Sequence, residues 1–223
     1  IDVAANYTVI QSTTVTNSYG GIYARPSFSL IDSNTISSLN GGSSYTSLRV
    51  DAYSANNLLN PNNNVVTNNA IRNCNPVIIL NIKAVLFEYN LIENNYVPSG
   101  SIGVRVAGGK FYNNRLRYNN VDSNLMIVET YSSEFMYNNF TSNYHRAGSG
   151  TYAIRFDVAP SLFTRNILNN PDCVYELKTT MLIGSSIIDA TENYWAVSSS
   201  SVAGRVYDFA DDSTLSLITV SPV

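Results

Sequence analysis

Charged side chains are scarce in this chain of 223 residues. Asp, Glu, Lys and Arg together make up 13% of it, and the formal net charge at pH 7 is -3. Globular proteins carry about 25% charged residues, so the composition argues against a highly solvated helical protein and against disorder. A net negative charge gives no sign of the excess of basic residues that binds nucleic acid or an anionic membrane. No apolar run approaches the roughly 18 residues of a membrane-spanning helix.

Residues that ligate metals are also few. The chain has one histidine, His145, and two cysteines, Cys74 and Cys173. It contains neither a Cys-x-x-Cys nor a His-Glu-x-x-His motif, so the sequence does not predict a zinc site. The cluster of aspartates that a calcium-dependent lyase needs is missing as well. We therefore expect no metal and no cofactor.

Asparagine, in contrast, is abundant and often occurs in doublets. The doublets include Asn68–Asn69, Asn94–Asn95, Asn113–Asn114, Asn119–Asn120, Asn138–Asn139 and Asn169–Asn170. Helices disfavour asparagine and turns favour it. Asparagine at regular intervals therefore indicates turns at regular intervals.

An apolar residue recurs three positions before a regularly spaced asparagine. The apolar residues are Ile31, Val66, Phe87, Phe111, Phe135 and Phe163, with weaker extensions to Ile10 and Ile188, and the four phenylalanines are separated by 24, 24 and 28 residues. A second apolar residue follows each asparagine by two positions. Each unit then carries a segment of alternating polarity, which is typical of a half-buried strand. Units of this length cannot bury a face alone, so they are expected to stack.

The repeat predicts an all-β fold, a right-handed parallel β-helix solenoid of about eight coils with Asn-rich turns. We expect the turn asparagines to adopt the left-handed conformation and to hydrogen-bond to one another along a column. This predicted ladder contains Asn34, Asn69, Asn90, Asn114, Asn138 and Asn166. The coils are predicted to cover residues 1–195, and residues 196–223 are predicted to form a helix/strand cap or a linker to a following module.

The alternating segments predict two outward columns on one sheet. One column runs from Tyr23 to Glu176, and the other contains the charged residues Arg25, Asp51, Lys83, Glu129, Asp157 and Lys178. Adjacent coils lie ~4.8 Å apart, so Glu129 and Asp157 are expected to be neighbours. Two interpretations remain open. Carboxylates about 5 Å apart serve retaining glycosidases, whereas charges of alternating sign stabilise a sheet without chemistry. The alternation favours a structural charge ladder, with lateral Arg155–Glu129 and Lys178–Glu176 contacts.

The cysteines and two glycosylation motifs bear on the compartment. Cys74 and Cys173 fall four coils apart, roughly 19 Å, and a disulfide needs Cα atoms within about 7 Å. We therefore expect no bond between them in one chain; they are small buried residues, or they pair between molecules. Asn6 and Asn139 begin Asn-x-Thr acceptor motifs. Little lysine, 16 tyrosines and abundant asparagine and serine fit an extracellular or secreted protein.

The C-terminal region carries a resemblance to a known family. The relevant residues are Asp189-Ala190-Thr191, Asn193-Tyr194-Trp195, Asp211-Asp212, Leu215 and Ser221-Pro222. This ending resembles the β-helix modules of the pectin-lyase-like superfamily, above all those of the large animal junction proteins called Bark beetle or Anakonda. Ala196 stands where that family usually has glycine. Near this motif, Val202, Val206 and Phe209 are expected to form a short amphipathic helix, and Trp195 is expected to be a core residue.

The resemblance implies an extracellular structural or adhesive module, one repeat of a tandem array or fibre, without catalytic activity. The partners it implies are neighbouring β-helix modules end to end, or further copies of the chain, and glycans are a further option; nucleic acid and membrane insertion are not expected. Two alternatives remain open. One is a polysaccharide lyase or glycoside hydrolase that uses the charged sheet face. The other is a carbohydrate-binding module that uses Tyr23 and the loops.

Overall fold

A computed structural model describes residues 1–3, 7–24, 29–40, 46–50, 64–76, 78–97, 102–122, 124–129, 133–145 and 152–221. Nearly all regular structure in these ranges is β-strand, and every strand pairing is parallel. Consecutive neighbours in a sheet come from successive coils, which is the topology of a parallel β-solenoid. The predicted fold class is therefore confirmed.

The largest sheet has 14 strands. Its main path contains Asp2–Val3, Ile22–Ala24, Thr46–Val50, Ile78–Glu88, Ile102–Tyr112, Asn124–Val128, Tyr152–Phe156, Tyr175–Thr179 and Val206–Tyr207. The long strands Ile78–Glu88 and Ile102–Tyr112 also pair with a flanking group. That group consists of Thr8–Gln11, Ser29–Asp32, Asn64–Thr67, Ser133–Met136 and Leu162–Thr164.

Three smaller sheets complete the coils. The second sheet contains Thr14–Thr16, Thr35–Ser37, Ala70–Arg72, Leu91–Glu93, Arg115–Arg117, Asn139–Thr141, Ile167–Asn169 and Tyr194–Trp195. The third contains Tyr96–Val97, Asn120–Val121 and Tyr144–His145, and the fourth pairs Ile188–Asp189 with Ile218–Thr219. No helix in the described ranges is long and apolar enough to cross a membrane.

The register of the strands follows the apolar repeat of the sequence. Ile10, Ile31, Val66, Phe87, Phe111, Phe135 and Phe163 pair in this order and form one buried column. The rings of Phe87 and Phe111 stack with their centroids 4.8 Å apart. A second buried column runs from Ile36 through Ile92 and Phe140 to Leu168 and Trp195. These two columns confirm the sequence alignment and form the core between the sheets.

The solenoid makes about 6 turns rather than the about eight coils expected. One reason lies at its C-terminal end. Ile188, counted as a weak extension of the phenylalanine column, pairs instead with Ile218 in the separate two-stranded sheet. The phenylalanine column therefore ends at Phe163, although the coil that carries Asn193 and Trp195 still stacks on the coil before it.

The C-terminal region differs from the expected amphipathic helix. Two short 3-10 helices, Ser199–Ser201 and Ala203–Arg205, replace it, and Val206–Tyr207 then pairs with Leu177–Lys178 of the largest sheet. Val202 and Val206 are buried, but Phe209 is 43% exposed because the chain has already left the helical path. Trp195 is a core residue, as predicted. The division into residues 1–195 and 196–223 stays a prediction.

Candidate functional site

The most regular polar feature of the molecule is a ladder of buried asparagines. It contains Asn34, Asn69, Asn90, Asn114, Asn138, Asn166 and Asn193. Each Oδ1 from Asn69 onwards accepts two hydrogen bonds of 2.8–3.1 Å from the preceding asparagine, one from its backbone N–H and one from its Nδ2. The predicted ladder is confirmed, and Asn193 extends it by one coil. We call this column the first ladder.

Each amide of the first ladder also ties its own coil to the strand before it. Asn114 Nδ2, for example, donates to the carbonyl oxygen of Phe87 at 2.8 Å, in addition to Asn138 Oδ1 at 3.0 Å. The asparagines are at most 2% exposed. Because buried amides are costly without hydrogen-bond partners, this double use of donor and acceptor lets a polar column lie inside the solenoid.

The expected reason for asparagine at these turns is wrong. The left-handed backbone conformation is adopted by the residue before the ladder asparagine, as at Ser33 (φ 56°), Tyr89 (φ 55°) and Arg165 (φ 56°). The ladder residues themselves do not have a positive φ. Asparagine therefore occupies the ladder for its side-chain hydrogen bonds, and not for its tolerance of the left-handed region.

A second ladder was not predicted. It contains Asn95, Asn119, Asn143 and Asn170, which are linked by the same paired bonds. At its beginning Cys74 takes an asparagine position, and its backbone N–H donates to Asn95 Oδ1. The signal was present in the sequence, because Asn90, Asn114 and Asn138 of the first ladder are each followed by an asparagine five positions later. We call this column the second ladder.

The second ladder ends on a carboxylate. Asn170 donates its backbone N–H to Glu176 Oε1 at 2.6 Å and its Nδ2 to Glu176 Oε2 at 2.7 Å. Arg205 pairs with Glu176 at 3.1 Å and also donates to the carbonyl oxygens of Cys173 and Asn170. Glu176 is only 3% exposed, so its charge is balanced inside the protein by Arg205.

The burial of Glu176 corrects one member of the predicted outward column. Tyr23, Arg49, Asn81, Arg105, Ile127 and Arg155 do pair along the sheet, but the next residue in that column is Lys178 and not Glu176. Glu176 lies at a corner of the coil where two successive residues are buried, as Ser47–Leu48 and Ala153–Ile154 are in other coils. A simple alternation of inward and outward residues fails at such a corner. The expected Lys178–Glu176 contact is therefore wrong, and Lys178 aligns with Arg155 instead of continuing the column of Asp157.

The two neighbouring carboxylates each bind an arginine. Glu129 Oε1 lies 3.0 Å from Arg105 Nε, and Asp157 accepts two bonds of 2.7 Å from Arg155. Thr180 also donates to Asp157. Arg155 thus contacts Asp157 and not Glu129, contrary to the expected lateral pair. Both carboxylates are engaged by cations on the same sheet face.

The other members of the predicted charge ladder have different places. Lys83 aligns with Ala107 in the sheet register, whereas Arg25 and Asp51 lie outside the described residues. Lys178 Nζ lies 4.7 Å from the ring centroid of Tyr152 and 4.8 Å from that of Tyr207. Its positive charge is therefore flanked by two aromatic faces.

A charge ladder that the sequence analysis missed lies on the second sheet. Arg72, Glu93 and Arg117 occupy one outward column of successive coils. Glu93 contacts Arg117 at 3.0 Å and Arg72 at 3.9 Å. The outer surface thus carries ion pairs on two sheets.

The cysteines are separate, buried thiols. Burial raises the pKa of Cys173 to about 12, and burial also raises the pKa of Cys74. Since the thiolate is the reactive form, neither thiol is suited to nucleophilic chemistry near neutral pH. Asn139, one of the two glycosylation candidates, is half-buried on the outward side of the second sheet. The other, Asn6, lies outside the described residues.

Comparison with known proteins now gives the family. The family described as right handed beta helix region matches residues 1–158. The chain belongs to this family. As a right-handed β-helix protein it has relatives that are enzymes and relatives that are not. No curated protein and no solved structure matches the chain. The match ends before the C-terminal motif on which the resemblance to junction proteins depends, so that resemblance stays a prediction.

Proposed function

We propose that this β-helix is an extracellular structural or adhesive module, non-catalytic, and one repeat of a tandem array or fibre. The observation that carries the proposal is how the polar side chains are used. The two ladders join coil to coil, and the outward carboxylates pair with arginines on the same face. These polar groups thus serve the cohesion of the solenoid.

The paired carboxylates are the strongest feature for an enzyme, and their contacts argue against one. A retaining glycosidase needs one carboxyl group to act as acid and base and a second to act as nucleophile. Asp157 receives a bidentate arginine and a threonine hydroxyl. Glu129 lies in an ion pair with Arg105. These contacts hold both groups in structural pairs, which supports a non-catalytic face.

The exposed edge of the solenoid supports end-to-end contact. Within the described residues, the strand Thr14–Thr16 pairs on one side only. Its other edge can accept a further coil, whichever chain supplies it. The C-terminal motif with Asn193 and Trp195, which resembles modules of junction proteins, points to the same arrangement of modules in series.

A turnover assay tests the non-catalytic part of the proposal. Pectin, alginate and chitosan are incubated with the protein, and reducing ends and unsaturated uronates are measured. We expect no release above that of the double variant Glu129→Gln/Asp157→Asn, which removes both carboxylates of the pair. Release by the natural sequence that is lost in the double variant would replace the structural proposal with a polysaccharide-active enzyme.

A further inference from the structure

The flanking strands and the ends of the two long strands present two outward columns of side chains. The first column crosses successive coils in the order Val9, Leu30, Val65, Leu86, Lys110, Glu134 and Leu162. The second column lies two positions further along each strand, and its later members are Glu88, Tyr112, Met136 and Thr164. We call the part of both columns from the coil of Leu86 to the coil of Leu162 the flanking face.

The flanking face carries one ion pair between apolar side chains. Lys110 Nζ lies 3.9 Å from Glu134 Oε2, and the side chain of Lys110 is 57% exposed. Leu86 precedes this pair in the first column and Leu162 follows it. Both leucines face outward and are partly exposed, so a partner that buried them would gain from the hydrophobic effect.

The order apolar, positive, negative, apolar is complementary to itself when it is read in the opposite direction. A second copy with its solenoid axis antiparallel, and a two-fold axis between the coils of Lys110 and Glu134, brings unlike charges together. Lys110 then faces the partner's Glu134, and Leu86 faces the partner's Leu162. A two-fold contact requires a patch that is complementary to itself in this way.

The second column has the same property. Tyr112 and Met136 are paired on neighbouring coils, and both are partly exposed. The same two-fold axis places Tyr112 against the partner's Met136 and Met136 against the partner's Tyr112. A thioether beside an aromatic ring is a favourable contact, so the two columns agree on one arrangement.

The charges also select the direction of the pairing. In the antiparallel arrangement, two lysines and two glutamates alternate in sign around the two-fold axis, so each carboxylate gains a second cation. In a parallel arrangement, Lys110 would face the partner's Lys110, and Glu134 would face the partner's Glu134. Like charges opposed across an interface are unfavourable, so the parallel arrangement is disfavoured.

We propose that the flanking face binds a second copy of this chain in a two-fold, antiparallel dimer centred on Lys110 and Glu134. The face covers four coils, roughly 19 Å at ~4.8 Å per coil, and is two columns wide. Stable dimers bury about 800 Å² per partner, so this smaller contact should give a reversible dimer with a Kd on the order of 100 μM. The face lies on the side of the solenoid, so the dimer is independent of any end-to-end array.

Sedimentation equilibrium of the 223-residue chain at concentrations from about 5 to about 500 μM measures the dimer. Lys110→Glu and Glu134→Lys each oppose like charges across the two-fold axis, and we expect each variant alone to dimerise at least tenfold more weakly. Arg117→Glu is the matched control for Lys110→Glu, because it reverses an ion-paired cation on the second sheet. We expect it to dimerise as the natural sequence does.

A 1:1 mixture of Lys110→Glu and Glu134→Lys separates loss of contact from loss of folding. One chain then presents two negative charges and the other two positive charges, so a mixed dimer again opposes unlike charges. We expect the mixture to dimerise although neither variant does so alone. The neutral variant Lys110→Gln/Glu134→Gln tests the direction, since antiparallel pairing predicts a weaker dimer than that of the natural sequence and parallel pairing predicts a tighter one.

Any of four results would overturn the proposal. The natural sequence stays monomeric up to about 500 μM, so that a second copy is not what covers the face. Lys110→Glu dimerises as well as Arg117→Glu, so that the contact lies elsewhere. The mixture of the two reversed variants stays monomeric, or the neutral variant dimerises more tightly than the natural sequence, so that the charges do not pair as proposed.

Discussion

The two asparagine ladders run along the same solenoid, yet they end differently. The first ladder ends at Asn193, whose Nδ2 donates to the carbonyl oxygens of Phe163, Ala190 and Thr191 at 2.8–3.1 Å. The second ends at Glu176, which accepts both bonds of Asn170 and binds Arg205. One ladder is closed by neutral backbone carbonyl groups, and the other by an ion pair.

The difference shows what an asparagine stack needs at its last rung. An asparagine inside the stack, such as Asn114, accepts from the asparagine of the coil before it. It donates to a backbone carbonyl oxygen and to the Oδ1 of the next asparagine. A carboxylate accepts but cannot donate, so it can end a ladder but cannot continue one. It also brings a buried charge, which requires a cation. The 3-10 helix that carries Arg205 is thereby fixed to the end of the solenoid.

The largest expected effect comes from breaking either ladder at its middle. Asn114→Ala leaves the backbone N–H of Asn90 without its acceptor, removes one of the acceptors of Asn90 Nδ2, and takes the amide donor from the Phe87 carbonyl. Asn119→Ala does the same to Asn95 and Ile92. We expect each change to lower the free energy of unfolding by about 4 kcal/mol, measured by urea denaturation followed by circular dichroism.

The exposed Asn75 provides the control for both ladders. Asn75→Ala is expected to change the free energy of unfolding by no more than about 0.5 kcal/mol. If Asn119→Ala lowered the free energy of unfolding by less than half as much as Asn114→Ala, the two ladders would not be equivalent in their interiors. The conclusion that they differ only at their ends would then be wrong.

An intermediate effect is expected at the charged end of the second ladder. Arg205→Met leaves the buried Glu176 without its cation, which should cost about 3 kcal/mol. The double variant Glu176→Gln/Arg205→Met removes both charges and keeps one carbonyl acceptor for Asn170. We expect it to recover more than half of that loss, measured as a double-mutant cycle. Additive losses would show that Arg205 does not stabilise the buried carboxylate of Glu176.

The smallest effect is expected at the beginning of the second ladder. Cys74 occupies an asparagine position there, and its thiol faces the carbonyl oxygens of Ile36 and Arg72. Cys74→Asn can donate to the Ile36 carbonyl and to Asn95 Oδ1, so the free energy of unfolding should stay within about 1 kcal/mol of the natural value. Cys74→Ala is the matched control and should be less stable than Cys74→Asn. The reverse order would mean that the ladder cannot be extended past Asn95.

The sequence predicted the repeating interior well, for a physical reason. Stacked coils place residues of the same coil position against one another, so Phe87, Phe111 and Phe135 face the same packing requirement and recur at nearly constant spacing. The first ladder recurs with them, since in each coil from Ile31 to Phe163 an asparagine three positions later meets another asparagine. Such columns can be found by alignment of the chain with itself.

The ends and corners could not be predicted in this way. Glu176 follows a tyrosine in a short strand, and alternation alone places it outside, whereas the corner of the coil turns it inward. The partner that makes this burial tolerable, Arg205, is 29 residues further along the chain.

Electron microscopy of the native assembly, taken from its source, tests the structural function most directly. An array of such modules should form filaments with an axial repeat of roughly 30 Å or slightly more per module, from about 6 turns at ~4.8 Å each and the terminal segment. Filaments with this repeat are the predicted result. Isolated single modules in the native material would contradict the account.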